Sequence, residues 1–180
     1  GFQFAPLLNA TGRLVDADIA VHFLLSDDLQ KAESMAQKLD ATNLERREKE
    51  YEMLETALNL AEAQKSNPAL ILVSPEFHEG INGIVATRLV ERFYKPVIIL
   101  SEQVDPVSGE KKLKGSGRSI TKLQLKDALS ACSDLLLRFG GHATAAGCSL
   151  QPKNLGEFRK RFFSFCNEHI PESLEPNLQL

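Results

Sequence analysis

The sequence predicts an α/β fold in which a long connecting helix is followed by a small mixed β-sheet domain flanked by helices. Residues 29–65 contain no glycine or proline and are rich in alanine, leucine, glutamate and lysine, which favours one long helix. Two apolar segments further on, ALILVS at 69–74 and PVIIL at 96–100, have the composition of buried strands. An amphipathic segment lies between them, and this order implies a parallel pair of strands.

The composition is that of an ordinary globular protein. The chain has 180 residues, 43% hydrophobic and 25% charged, and its formal net charge is −3. A polyanionic partner would therefore bind to a local basic patch rather than to the whole surface. The three cysteines form no CxxC pair, which argues against a zinc site and fits a reducing, cytoplasmic environment. No apolar run approaches the length of a membrane span, so no membrane partner is expected.

The N-terminal part is expected to contain a loop and a short helix before the long helix begins. Residues 1–13 mix proline, asparagine and glycine with apolar residues, which indicates a loop packed on a neighbour. Asp16 or Asp18 would cap the short helix. The residues of this helix that we expect to be buried are Ala17, Ala20, Val21, Leu24 and Leu25. Because the chain begins with Gly1, we expect it to be a piece of a longer protein.

The long helix is predicted to carry one apolar seam and a polar middle. The seam comprises Leu44, Tyr51, Leu54, Leu58 and Ala61. The polar middle indicates a strut between two bodies or half of a coiled coil. The elements predicted after residue 69 are a helix at 80–93, a turn-rich loop at 105–110, a third strand along an edge at 111–119, a helix at 125–136, a short strand at 147–150 and a helix at 155–169.

The motif FGGHATAAG at 139–147 is the first candidate for chemistry. It places Gly140 and Gly141 directly before His142. Adjacent glycines let the backbone approach a ligand closely, and an imidazole can donate or accept a hydrogen bond or carry charge near neutral pH. The motif therefore indicates a binding surface built from backbone and one imidazole. A tight turn around a packed histidine is the alternative.

The motif KGSGRSI at 114–120 lies in a strip of positive charge. Residues 111–126 include six basic side chains and no acidic one. We interpret the motif as phosphate-binding, because Gly115 and Gly117 would offer exposed N–H groups and Arg118 a fork-shaped guanidinium. On a strand, Ser116 and Arg118 point to the same side and can hold one anion. The alternative is a solvated edge strand whose lysines discourage pairing with another sheet.

His78 is a further candidate, either as the polar group at the start of the helix at 80–93 or as a contact to substrate. Two-metal hydrolysis needs clustered carboxylates and histidines that bridge the ions. The acidic residues of this sequence lie mostly on the long polar helix, and Asp16 and Asp18 form an isolated pair. The sequence therefore predicts no metal-binding hydrolytic centre within this chain.

These two motifs, together with HEGINGIVATRLVERFYKPVIIL at 78–100, resemble the RecJ single-stranded-DNA exonucleases of the DHH phosphoesterase superfamily. The opening APLLNATGR is similar to a Pro-Arg-Leu-Asn-Ala-x-Gly-Arg segment of that family, with Leu7 in place of the arginine. The GGH motif is shared with the wider superfamily, whereas GSGRS and the long helix are more particular to RecJ. The resemblance implies a stub of the catalytic domain at 1–27, the connecting helix at 28–66, the DHH-associated domain at 67–170 and a linker at 171–180.

The resemblance also implies roles for individual residues. Ser116 and Arg118 correspond to residues that hold the 5′-terminal phosphate, and the GGH motif faces the metal centre across a cleft and orients the scissile region. Asn9 and Arg13 match a loop that lines the same cleft. The full set of predicted phosphate- and nucleic-acid-binding residues is Ser116, Gly117, Arg118, Ser119, Gly140, Gly141, His142, Lys114, Asn9, Arg13 and His78.

The function implied by the resemblance is that of the nucleic-acid-binding accessory part of a 5′-to-3′ single-stranded-DNA exonuclease in DNA repair and recombination. Manganese or magnesium would be bound by an upstream DHH catalytic domain, so these residues alone are expected to be inactive. The expected partners are single-stranded DNA, short RNA as a second nucleic acid, and the catalytic domain across the cleft. The alternatives are the same domain of an oligoribonuclease or cyclic-dinucleotide phosphodiesterase, or a catalytically inactive binding scaffold, which Leu7 favours.

Overall fold

The computed structural model describes residues 4–104 and 109–170 and divides into two compact units, residues 1–54 and 55–180. The first unit contains α1 (Phe4–Leu14), α2 (Asp18–Leu24) and most of α3 (Leu29–Glu62). The prediction of a single long helix in this region is therefore confirmed. The predicted linker at 171–180 and part of the loop at 105–110 lie outside the described residues.

The segment at the N-terminus is a helix, so the prediction of a loop is wrong. Pro6 lies in the first turn of α1, where a missing N–H costs nothing because those donors have no intrahelical acceptor. The expected buried face of α2 is also wrong. Ala20 is buried, but Val21, Leu24 and Leu25 are 50% to 73% exposed. Apolar spacing identifies a face of a helix, but it does not supply a neighbour to cover that face.

The apolar seam of α3 differs from the predicted one. Leu44 and Tyr51 are exposed, whereas Met53, Ala57 and Ala61 are buried. These three residues recur every four positions, so they form one continuous stripe on the helix. The polar middle is supported by ion pairs along the helix, including Arg46 with Glu50.

The second unit contains a five-stranded mixed sheet with the strand order β1-β2-β3-β5-β4. The strands are β1 (Leu70–Ser74), β2 (Val97–Val104), β3 (Lys111–Arg118), β4 (Leu136–Gly141) and β5 (Ala145–Leu150). The helices are α4 (Glu79–Phe93), α5 (Leu125–Ser130) and α6 (Leu155–His169). β1 and β2 are parallel and connected through α4, and the other three pairs are antiparallel. The predicted fold class is confirmed.

Two expectations for the second unit are wrong. β3 is not an edge strand, because it pairs with β2 on one side and β5 on the other. Its lysines therefore do not protect a sheet edge. The predicted helix at 125–136 ends at Ser130 and is followed by a short 3-10 helix, Ser133–Leu135, after which Leu136 begins β4. β4 was not predicted because its sequence, LLRFGG, lacks the alternation of apolar and polar residues that is typical of a strand. Its formation depends on pairing with β5.

The hydrophobic core fills one face of the sheet. Side chains of β2, β3 and β5 meet α5 and α6 there, with Phe158 and Phe162 fully buried at the centre. α4 packs on the opposite face over β2 and β3. The three cysteines are free and buried. Among the described helices, none combines the length and apolar character needed to cross a membrane.

Gly115 is expected to be essential for stability. A Cβ at this position would lie 2.5 Å from both the Ile99 carbonyl oxygen and Leu100 Cδ2, so Gly115→Ala is expected to lower the free energy of unfolding by about 1–3 kcal/mol. Gly140→Ala is the matched control, since its Cβ would meet no atom within 4 Å. We expect the control to cause no loss of stability, since alanine is favoured over glycine by about 0.5–1 kcal/mol within a strand. Urea denaturation followed by circular dichroism measures both, and equal losses would contradict the tight enclosure of Gly115.

The buried thiols are expected to resist modification in the folded protein. Burial raises the pKa of Cys132 to about 11 and the pKa values of Cys148 and Cys166 to about 12. The thiolate is the reactive form, so a disulfide reagent should react slowly until the chain unfolds. The free energy of unfolding should also fall as the pH rises through the ordinary thiol pKa of about 9, because unfolded thiols ionise and buried ones do not. A thiol that reacts in the native state as fast as in denaturant would contradict its burial.

Candidate nucleic-acid interface

The two glycine-containing motifs lie on neighbouring strands of the same sheet. In the strand register, Ser116 on β3 is opposite Gly147 on β5, and Gly147 is opposite Gly140 on β4. Gly117 aligns in the same way with Ala146 and Gly141. The sheet therefore brings together two segments that are well separated in sequence, and it places their ends beside the same hairpin turn.

The hairpin between β4 and β5 has a constrained tip. Gly141 has a φ of 142°, and a Cβ there would clash with the Ala145 carbonyl. The His142 N–H donates to the Ala145 carbonyl at 2.7 Å and closes the turn. The Ser119 N–H donates to the Thr144 carbonyl at 2.9 Å, which ties the tip to the end of β3. The turn is tight, but the His142 side chain is exposed, so the alternative of a packed histidine is wrong.

Ser116 and Arg118 project from the same side of β3, as alternation along a strand requires. Both side chains are partly buried. Arg118 lies against α4, where a Cβ at Gly83 would come within 2.8 Å of Arg118 Nη2. Arg118 Nη1 donates to the Gly117 carbonyl at 2.8 Å. The guanidinium is thus held in place by its own strand and by the absence of a side chain on α4.

The expectation that Gly115 and Gly117 offer exposed N–H groups is wrong. Both glycines are buried, and β3 pairs on both sides, so its backbone groups belong to the sheet. Ser119 is also buried, and its Oγ has no hydrogen-bond partner among residues 4–104 and 109–170. Its N–H holds the hairpin tip, as described above. An anion on this face would therefore contact the side chains of Ser116 and Arg118.

Lys114 is already engaged by an acidic neighbour. Its Nζ lies 2.7 Å from Glu79 Oε2, and Gln103 Nε2 donates to the same carboxylate oxygen at 2.6 Å. The hydrogen bond from Lys114 lowers the pKa of Glu79 below its ordinary value, so the carboxylate stays ionised at neutral pH and offsets the lysine charge. Lys114 is therefore a weaker anion contact than its place in the basic strip indicates.

The remaining predicted residues lie in two places. His78 is the N-cap of α4, and its Nδ1 accepts a hydrogen bond from the Gly80 N–H at 3.2 Å. This is the structural role considered for it, and it leaves Nε2 as the nitrogen that can donate. Asn9 and Arg13 lie on α1, not on a loop, and are exposed four residues apart on one helix face.

Sequence reasoning did not single out an open groove of about 430 Å³ on the face of the sheet that carries Ser116. We call it the glycine groove, because Gly140 and Gly147 lie within its lining. The other polar and charged residues that line it are Gln103, Lys112, Lys114, Arg138 and Ser149. Arg138 and Ser149 belong to strands whose pairing the sequence did not reveal, so their proximity could not be predicted.

No metal site is present in the part of the chain that the structure describes. Within residues 4–104 and 109–170, no three His, Cys, Asp or Glu side chains lie close enough together to hold an ion.

Comparison with known proteins identifies the family. The profile of the DHHA1 domain matches residues 66–168. The chain belongs to the DHHA1 domain family. It is 41% identical to the single-stranded-DNA-specific exonuclease RecJ of Salmonella typhimurium over 187 aligned positions, which cover 99% of this chain and 31% of that protein. The resemblance to RecJ found in the sequence motifs is therefore confirmed.

Solved structures agree with this assignment. RecJ from Thermus thermophilus in complex with Mg²⁺ matches this DHHA1-containing chain with a TM-score of 0.84 at 33% identity, covering 97% of this chain and 26% of that one. The complex of the same enzyme with Mn²⁺ matches with a TM-score of 0.82 at 34% identity, covering 93% and 24%. The chain thus spans about a third or less of each of these three proteins.

Gly83 is expected to position Arg118. In Gly83→Ala the new methyl would lie 2.8 Å from Arg118 Nη2, and the flexible guanidinium should move while the helix gains about 0.5–1 kcal/mol of stability. Gly156→Ala on α6 is the matched control, since its Cβ would meet nothing within 4 Å. The Nε–Hε resonance of Arg118 in an NMR spectrum should shift in Gly83→Ala alone, with no loss of stability in urea. An unshifted resonance would show that Gly83 does not set the guanidinium position.

Proposed function

We propose that this chain is the nucleic-acid-binding accessory part of a RecJ-like, 5′-to-3′ single-stranded-DNA exonuclease that acts in DNA repair and recombination in the cytoplasm. The observation that carries the proposal is that Ser116 and Arg118 project from one side of β3, while the exposed His142 lies at the tip of the hairpin whose strand β5 pairs with β3. The similarity to RecJ over nearly the whole chain supports it. The comparisons favour this function over that of an oligoribonuclease or a cyclic-dinucleotide phosphodiesterase.

The 5′-terminal phosphate would bind to the face of β3. A terminal phosphate carries up to two negative charges, and the Arg118 fork can donate two parallel hydrogen bonds to its oxygens. The Ser116 hydroxyl, on the same side of the strand, would donate a third. Because the β3 backbone donors are committed to the sheet, these two side chains would supply the end recognition, and a 5′-hydroxyl would leave Arg118 without its anion.

His142 would act on the strand next to the terminal phosphate. Its side chain is exposed at the hairpin tip, and the backbone of the tip is fixed by three hydrogen bonds. From there the imidazole can donate to an oxygen of a phosphodiester and orient it. Gly141 makes this turn possible, and Gly140 leaves open space in front of it. These groups bind and orient, and they provide no nucleophile.

We also propose the division of the chain implied by the family: a catalytic-domain stub at 1–27, a connecting helix at 28–66, the DHH-associated domain at 67–170 and a linker at 171–180. Asn9 and Arg13, on one face of α1, would contribute to the substrate path from the stub. The hydrolytic step would use Mg²⁺ or Mn²⁺ held by an upstream DHH domain, and the chain alone would bind DNA without cleaving it. Leu7 takes the position of a family arginine, so that contact would be missing here.

Arg118→Ala is expected to abolish the preference of the chain for phosphorylated ends. The affinity for a 5′-phosphorylated single strand should fall by about ten-fold or more, because a charge-assisted hydrogen-bond pair is lost, whereas the affinity for the 5′-hydroxyl strand should change little. Fluorescence anisotropy with a 3′-labelled oligonucleotide at low salt measures both. Lys126→Ala, which removes an exposed cation on α5, is the control for the loss of one positive charge. Equal losses for the two ends would contradict the role of Arg118.

A double-mutant cycle tests whether Ser116 and Arg118 hold the same phosphate. Two groups that share one anion should be non-additive, with a coupling energy of about 0.5 kcal/mol or more for the phosphorylated strand. The same cycle with the 5′-hydroxyl strand should give additive effects. If the effects of the two substitutions are additive for both oligonucleotides, Ser116 and Arg118 do not hold the same phosphate.

A further inference from the structure

The glycines within the strands of the second unit fall into two groups that differ in what surrounds them. Gly115, Gly117 and Gly141 are required by the fold, because a Cβ at each would come within 3 Å of neighbouring atoms. Gly140 and Gly147 are different. A Cβ at Gly140 would meet nothing within 4 Å, and one at Gly147 would meet only the Gly115 carbonyl at an ordinary 3.6 Å.

Gly140 and Gly147 are paired with each other across β4 and β5, so they form one side-chain-free patch of sheet. Glycine within a strand costs about 0.5–1 kcal/mol relative to alanine, and packing within the described residues gives no reason for that cost here. A close approach of another molecule to the backbone is the remaining physical use of such a patch. The patch lies in the glycine groove, and in the register it is adjacent to Ser116.

Basic side chains lie next to this side-chain-free patch. Lys114, Ser149 and Arg138 form one row across β3, β5 and β4, directly next to the row of Ser116, Gly147 and Gly140. Lys112 follows at the next same-side position of β3. Lys114 is neutralised by Glu79, but neither Lys112 nor Arg138 has an ion-pair partner among residues 4–104 and 109–170. The lining of the groove includes no carboxylate, and Glu79 contacts one of the lining residues, Lys114.

We propose that the glycine groove binds internal phosphates of the same single strand whose 5′ end is held at Ser116 and Arg118. Lys112 and Arg138 would neutralise the phosphates, the Ser149 hydroxyl would donate to one of them, and the bare backbone at Gly140 and Gly147 would admit the sugar–phosphate chain. Side chains of β3 on one face repeat about every 7 Å, so Lys112 lies roughly 13 Å along the strand from Ser116. This distance separates the groove from the site proposed for the terminal phosphate. The inference rests on the proposed function, because it extends the path of that strand.

The first test separates the end from the groove by the length of the ligand. A 5′-phosphorylated thymidine dinucleotide and an octanucleotide are compared by anisotropy with the 180-residue chain. Lys112→Gln/Arg138→Gln should weaken octanucleotide binding by about ten-fold and leave dinucleotide binding unchanged. The salt dependence for the octanucleotide should become shallower by about 1.4 in log–log slope, which corresponds to two phosphates on a single strand. Lys153→Gln/Lys160→Gln on the α6 side of the sheet removes the same charge and is the matched control.

Two further variants give opposite effects on the octanucleotide. Gly147→Leu fills the groove at a position where the first added carbon fits without a clash, and it should weaken binding with no loss of stability. Gly156→Leu, on α6, is its control. Glu79→Gln releases Lys114 from its carboxylate and should strengthen octanucleotide binding severalfold.

The outcomes distinguish the two proposals. If Lys112→Gln/Arg138→Gln and Gly147→Leu behave like their controls, or if the octanucleotide binds no more tightly than the dinucleotide, the groove proposal is overturned while an Arg118-dependent preference for the 5′-phosphate still supports end recognition. If the groove variants weaken the octanucleotide but Arg118→Ala leaves the end preference unchanged, the groove is supported and the end-recognition role fails. Loss of octanucleotide affinity in both double variants alike would reduce the groove to general electrostatic attraction and would overturn it.

Discussion

The central position of β3 determines what chemistry this domain can present. A strand that pairs on both sides has no backbone groups to offer to a ligand, so any recognition must come from its side chains. On one face, the absence of side chains at Gly115 and Gly117 lets Leu100, Ile98 and Leu125 pack directly against the strand in the core. The alternation of glycine with Ser116 and Arg118 thus leaves no side chain toward the core and places both polar side chains on the opposite face.

The order of the strands gives the same result for the second motif. Because β5 lies between β3 and β4, the hairpin that carries His142 is fixed beside the end of β3, and the Ser119 and Leu125 N–H groups bond to its turn carbonyls. The histidine can then remain exposed without becoming mobile in its backbone. The hydrogen bond from Ser119 to Thr144 therefore links the two motifs directly.

The sequence predicted the elements whose signal is local and missed those that depend on pairing. The long helix, the parallel β1–β2 pair and α6 follow from composition and periodicity, and all three are present. β4 has no signal of its own, and the position of β3 in the sheet cannot be read from its residues. The sequence also does not show which glycines the fold requires. Only the structure shows that packing requires glycine at position 115 and does not require it at position 147. The glycine groove could therefore not be predicted from the sequence, although the two motifs next to it were recognised.

The basic strip at 111–126 shows that charged residues close together in sequence need not form one charged surface in the folded protein. The sheet sends Lys112, Lys114 and Arg118 to one face, while Lys126 belongs to α5 on the other side. Of these three, Lys114 is offset by Glu79 and Arg118 is held against α4. Arg138, from outside the strip, joins Lys112 at the groove through the β4–β5 pairing. A chain with a net charge of −3 can therefore attract a polyanion only where strand pairing leaves cations without neighbouring carboxylates. The glycine groove is such a place, and its side-chain-free floor also leaves room for the sugar–phosphate backbone of the polyanion.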